Sequence, residues 1–204
     1  MTTVLLIRHG DHDLLNRAIA GRMPSVHLNA SGIEQVEKLA GTLSSLPIRA
    51  VFTSPLERAL ESAEPLAKHL SLELQVSDQI SEVDFGEWTG WTFHQLHGNP
   101  EWKRFNEYRS GSRVPGGESM QEIQARMMDF LERMRVEYPD AVVAAFGHGD
   151  PIKMALMHCL AVPIDFLHRI EISTGSVSAI QVSEAPARVL CLNWTPGLPT
   201  IEGR

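Results

Sequence analysis

Ala141-Val142-Val143-Ala144-Ala145-Phe146 is six apolar residues in a row, followed at once by Gly147-His148-Gly149-Asp150-Pro151. A run this short and unalternating reads as a strand buried on both faces of a parallel sheet. Asp150 then reads as the N-cap and Pro151 as the first residue of a helix reaching about Leu160. The same order of strand, turn and helix recurs upstream. Val4-Leu5-Leu6-Ile7 stops at Arg8-His9-Gly10, and Arg49-Ala50-Val51-Phe52-Thr53 runs into Ser54-Pro55-Leu56-Glu57. Ser54, Pro55 and Glu57 are expected at the N-cap, N1 and N3 positions of a helix toward Leu70, kinked at Pro65.

Between these lies a helix from about Ser31 to Ser45, with Ile33, Val36, Leu39, Ala40 and Leu43 on one face and a Ser31–Glu34 capping box. Leu72 to Val76 is a short strand. Ser119 and Glu122 cap a helix whose apolar face holds Met120, Ile123, Met127, Phe130, Leu131 and Met134. Strands are expected at Leu167–Ile172, Ser176–Val182 and Val189–Leu192. The alternation implies an α/β fold, a three-layer sandwich with a mostly parallel central sheet flanked by helices. Residues 77–117, rich in aromatics and glycine, are too long for a bare loop and are expected as a lid or subdomain. One domain is expected over residues 1–200. Ile201-Glu202-Gly203-Arg204 spells an engineered protease site and is expected to be an expression remnant.

The formal net charge of −7 argues against nucleic acid as a partner, since phosphate backbones are held by surplus lysine and arginine. No apolar run reaches membrane-span length and no leader is expected, so the chain reads as cytoplasmic with no membrane partner. Cys159 and Cys191 are too few for a disulfide framework and read as reduced thiols.

The polar residues gather where the strands end. Arg8 and His9 follow the first apolar strand, Arg58 lies in the first turn after the second, and His148 follows Phe146. Ligands of open α/β sheets sit beyond the carboxyl ends of the strands, and two helix N-termini there add orphan N–H groups. Singly, such an arginine is a solvated charge and such a histidine a packing residue. Together they make an anion site, with guanidinium groups suited to bidentate bonds to phosphate.

Leu6-Ile7-Arg8-His9-Gly10, Thr53-Ser54-Pro55-Leu56-Glu57-Arg58-Ala59, Glu82-Val83-Asp84-Phe85-Gly86-Glu87-Trp88-Thr89-Gly90 and Gly147-His148-Gly149 occur in that order. This series resembles the motifs of the histidine phosphatase superfamily, the phosphoglycerate-mutase-like proteins, over Leu5 to about Val162. The resemblance implies a small-molecule phosphate ester as substrate, no cofactor and no metal, and favours the phosphatase branch. It implies that His9 attacks phosphorus as the nucleophile and that Arg8, Arg58 and His148 neutralise the equatorial oxygens. It also implies that Glu82 protonates the leaving group and then activates water. Asn16, Arg22 and Gly149 are the implied substrate contacts. The chain departs from the family pattern at Asp11 and His12, where the family often has Glu or Gln and then Ser or Thr. Leu15 stands where the family has its phosphate-contacting asparagine, with Asn16 one residue later.

Three alternatives stand beside this reading. One is a phosphoglycerate-mutase-type phosphotransferase. Another is a metal-dependent hydrolase built on His9, Asp11, His12, Asp13, His148 and Asp150, with His94-x-x-His97 as a weaker pair. The third is a phosphate-binding module without turnover. Sugar phosphates, phosphoglycerates, nucleotide-like phosphates and phospho-amino acids all remain open as substrates, and no oligomeric state is implied.

Overall fold

The computed structural model describes residues 1–196, so the Ile201–Arg204 tail lies outside the described residues. In chain order the elements are β1 (Thr2–Arg8), α1 (Ala30–Leu43), β2 (Ile48–Thr53), α2 (Glu57–Leu70), β3 (Leu74–Val76), α3 (Phe93–Leu96) and α4 (Pro100–Glu107). They continue with α5 (Met120–Glu137), β4 (Val142–Gly147), α6 (Gly149–Cys159), β5 (Val177–Val182) and β6 (Arg188–Trp194). The six strands form one sheet in the order β3-β2-β4-β1-β5-β6. The first four in that order run parallel, and β5 and β6 close the edge antiparallel.

The apolar β4 sits between β2 and β1, which explains its lack of polar alternation. Its register is level with both neighbours: Thr53 of β2 and Ile7 of β1 flank Phe146. The residues that follow therefore leave the sheet side by side. Alternate strand residues feed two cores. Leu5, Ile7, Val51, Ala144 and Phe146 pack under α1 and α2. Val4, Leu6, Ala50, Phe52, Val143 and Ala145 pack under α5, α6 and the aromatic segment before α5.

All six expected apolar residues of α5 are buried, and Ser119 and Glu122 form the expected reciprocal cap. Other expectations change. Asn29, not Ser31, caps α1 by accepting from the Gly32 amide, and Ile33 is 52% exposed. Gly32 faces inward instead, because a Cβ there would lie 2.2 Å from the Asp11 carbonyl oxygen. The second helix starts at Glu57 rather than Pro55, with no side-chain cap, since Ser54 Oγ is within 2.8 Å of His148 Nε2. Pro65 leaves α2 unbroken, its inward face of Ala59, Ala63, Leu66 and Ala67 staying against the sheet on both sides of the proline. Asp150 lies inside α6, whose N-cap position is His148.

The expected strand at Leu167–Ile172 is absent. Ile164–Arg169 coils as 3₁₀ turns after Pro163, and the Ile172 carbonyl accepts from Arg8 Nη1 at 2.6 Å rather than from a strand. Residues 77–117 contain α3, α4 and three 3₁₀ turns. Their aromatics divide: Phe85, Trp88 and Phe105 are buried, while Trp91, Phe93 and Tyr108 are exposed. Trp88 meets Trp102 and Phe105 edge-on at centroid distances of 5.3 and 5.4 Å, a favoured arrangement for ring quadrupoles. No helix among the described residues is long and apolar enough to cross a membrane.

Phe130 is fully buried and meets Phe52 of the sheet edge-on at 5.7 Å. Phe130→Ala is expected to lower the unfolding free energy by about 3–5 kcal/mol, read from the midpoint of a urea transition at unchanged slope.

Candidate active site

His9 leaves β1 at the row where Thr53, Phe146 and Ile7 stand level. Its ring is buried, and Nδ1 lies 2.7 Å from the Gly10 carbonyl oxygen. A carbonyl only accepts, so Nδ1 carries the proton and Nε2 presents its lone pair. That lone pair receives the Nε–H of Arg58 at 3.3 Å. Gly10 is required by close approach: a Cβ there would sit 2.6 Å from the Gly32 carbonyl oxygen, and its amide donates to Ser62 Oγ of α2.

Arg58, the second residue of α2, is fully buried. Its Nη2 donates to the Gly21 carbonyl at 2.8 Å and to His148 Nδ1 at 3.3 Å. Since His148 Nδ1 accepts, the proton of a neutral ring sits on Nε2 and is donated to Ser54 Oγ at 2.8 Å. Each hydrogen-bond acceptor of this guanidinium is neutral. Desolvation is the largest influence holding both His9 and His148 well below the usual imidazole range, with Arg58 next in each case. Both rings are therefore unprotonated bases at neutral pH.

Arg8 anchors through Nη1 on the Ile172 carbonyl, and its guanidinium lies along Gly149, whose missing Cβ would be 3.4 Å from Arg8 Nε. Glu82, 16% exposed, places Oε2 3.8 Å from His148 Nδ1. Burial first, then the nearby Asp150 carboxylate, raises the Glu82 pKa to about 7 against the pull of Arg58. Asp150 in turn lies 3.8 Å from the buried Arg109, whose guanidinium covers the Phe105 ring at 4.6 Å.

The backbone of Glu82 is strapped from behind. Its carbonyl accepts from Arg22 Nε at 2.9 Å and Arg126 Nη2 at 3.3 Å. Glu118 binds both arginines and also accepts from the Asp84 amide at 2.9 Å. Arg8, His9, Arg58, Glu82, His148 and Gly149 are thus brought together. Arg22 is engaged with the Glu82 backbone and Glu118. Asn16, exposed in a turn at φ 57°, stands outside this hydrogen-bonded group.

Asp11 turns away from the crevice to accept from Gln35 Nε2 at 3.0 Å, Ser31 Oγ at 3.3 Å and Thr174 Oγ1. His12 is buried with its ring centroid 5.2 Å from that of His9. Sequence reasoning assigns no role to Arg109, Glu118 or Arg126, and gives His12 one only as a metal ligand in the metal-dependent alternative. Only the departure at His12 gives a signal, since the others act through contacts remote in sequence.

Of the expected metal-ligand set, His9 and His148 together with Glu82 offer ligand atoms within 4.8 Å of one another. Arg58 already donates to a ring nitrogen of each histidine, so a cation there would displace those bonds and face a guanidinium. His94 and His97 lie exposed in and just after α3, with no third ligand joining them among the described residues.

The chain is 35% identical over 197 residues to a bifunctional protein of Mycobacterium tuberculosis, a match covering 95% of this chain and 54% of that protein. It spans about half the length of such mycobacterial relatives. It is 26% identical to phosphoserine phosphatase 1 of Hydrogenobacter thermophilus, over 96% of this chain and 93% of that one. The fold is similar to a mutant phosphoserine phosphatase of Entamoeba histolytica solved with phosphoserine, at TM-score 0.84 and 24% identity, covering 96% of this chain and 98% of the other. The sequence pattern of one family matches residues 4–195, the sheet and all of the crevice residues included, and the chain belongs to that family, the histidine phosphatase superfamily, branch 1.

Proposed function

We propose that this protein hydrolyses small phosphomonoesters through a phosphohistidine formed on His9, without a metal ion. The observation that carries the reading is the His9 tautomer: with Nδ1–H tied to the Gly10 carbonyl, the lone pair of Nε2 faces the Arg58 guanidinium. A nucleophile directed at a cation is directed at the place an anionic substrate occupies.

Phosphate binding takes over the Arg58 donor, freeing the Nε2 lone pair to attack phosphorus in line as the ester P–O bond breaks. Arg8 and Arg58 stabilise the charge on the equatorial oxygens, and His148 joins them once phosphate takes Arg58 from its Nδ1 and the ring adopts the Nδ1–H tautomer. Glu82, protonated near neutrality, gives its proton to the leaving alkoxide. The carboxylate so formed then takes a proton from water. That water attacks phosphorus, the P–N bond breaks, and inorganic phosphate and neutral His9 are released. Arg22, Arg126 and Glu118 hold the acid, while Gly149 lets Arg8 lie close to the helix start. The similarity to a phosphoserine phosphatase makes phosphoserine the first ester to assay.

Three outcomes are expected. His9→Ala lowers turnover of p-nitrophenyl phosphate by about a thousandfold or more, and wild type quenched from a phosphate-labelled ester in alkaline denaturant carries an acid-labile label on this histidine; undiminished turnover sinks the assignment. Incubation with a strong chelator leaves the rate unchanged, and abolition of activity would establish metal chemistry instead.

The pH dependence follows from Glu82. Its working form is the acid, and a pKa of about 7 means that kcat/KM for an alkyl phosphate falls as pH rises past about 7. The lowered pKa of His9 keeps the nucleophile unprotonated on the acid side. Glu82→Gln is expected to remove this alkaline limb and cost about 10²–10⁴-fold on alkyl esters. On 2,4-dinitrophenyl phosphate, whose leaving group needs no proton, kcat/KM should change far less. Equal losses on both esters would assign Glu82 a structural role.

A further inference from the structure

We propose that His12 is a phosphate-contacting residue, a third imidazole beside His9 and His148 that donates from Nδ1 to a phosphoryl oxygen. Its side chain is 6% exposed, and its ring lies as close to that of His9 as the His148 ring does, at 5.2 against 5.1 Å. Nδ1 is buried without a hydrogen-bond partner among the described residues, as are Arg8 Nε and Arg58 Nη1. Buried polar atoms are ordinarily satisfied, so three orphans on neighbouring residues of one crevice share an explanation. The two guanidinium nitrogens are donors and His12 Nδ1 is one in its Nδ1–H tautomer, and one tetrahedral oxyanion offers enough acceptor sites for all three.

The surroundings support the same orientation. Arg58 and Arg8 are, after desolvation, the groups that hold His12 down at about 4, and Arg58 bonds the neighbouring His9 ring. The adjacent carboxylate of Asp11 is occupied by Gln35, Ser31 and Thr174 and forms no bond to the ring. A neutral imidazole has a single N–H, and the Nδ1–H tautomer places it on the orphaned atom.

The inference rests on the reading of this crevice as a phosphate pocket, but not on turnover. A packing role for His12, in which it only holds the nucleophile ring, predicts a different result in a protein lacking that ring. Calorimetric binding of inorganic phosphate to wild type, His12→Ala, His12→Asn, His9→Ala and the His9→Ala/His12→Ala double variant separates the two, with thermal melts confirming that each is folded. Removing His12 is expected to weaken phosphate binding about tenfold or more with and without His9, as for a hydrogen bond to a charged group. Asn, whose amide sits near the position of Nδ1, is expected to recover most of it. Unchanged affinity in His12→Ala overturns the proposal, and so does a loss seen only when His9 is present. Failure of wild type to bind phosphate defeats the pocket itself, whereas phosphate binding without ester hydrolysis defeats only the proposed turnover.

Discussion

The Arg58 guanidinium is fully buried and its hydrogen bonds go to two imidazole nitrogens and a carbonyl oxygen. Burying a charge against neutral acceptors is costly, because lost hydration is only partly replaced. Glu82, the carboxylate that most favours its charged form, is itself raised to about 7 and so carries only part of a negative charge at neutral pH. The crevice is therefore short of negative charge, a deficit that the proposed phosphate dianion corrects. The level ends of β2, β4 and β1 set Arg58 between the two histidines, and Gly21 closes the circle with its carbonyl.

The same cation explains the protonation pattern around it. Acting on rings already desolvated, it keeps both imidazoles neutral and fixes which nitrogen of each accepts. In the proposed reaction this one residue prepares the nucleophile, orients a second ring and supplies charge for the transition state. Glu82 is governed differently, by burial and then Asp150 pushing its pKa up while Arg22, Arg126 and Glu118 fix its backbone. His9 and Glu82 are shifted in opposite directions, an arrangement suited to the base and acid roles proposed for them at one pH.

Much of this was legible in the residues. The unbroken apolar run at Ala141–Phe146 marks the central strand, because only a strand covered on both faces can do without polar alternation. The positions of Arg8, His9, Arg58 and His148 just beyond strand ends are readable for the same topological reason. Helix starts are less so. Ser54 and Asp150 have the chemistry of caps, yet tertiary partners claim both: His148 for the one and Arg109 for the other. Leu167–Ile172 has strand-like composition but follows Pro163 and turns across the sheet end, where Arg8 takes its carbonyl. The straps on Glu82 join Arg22, Glu118 and Arg126 across long stretches of chain, and no local pattern encodes such a meeting.

The tethering of Asp11 has a consequence for how such a loop is inherited. One carboxylate gathers Ser31 and Gln35 from α1 and Thr174 from the turn before β5, while Gly32 leaves room for its backbone. The stretch after the nucleophile is therefore not an interchangeable cassette. A graft of this loop alone from a relative with another residue at this position would take the shared acceptor from the half-buried Gln35 amide and Thr174 hydroxyl. Substitution at position 11 is thereby coupled to positions 31, 35 and 174, which ties a short loop to two distant parts of the chain.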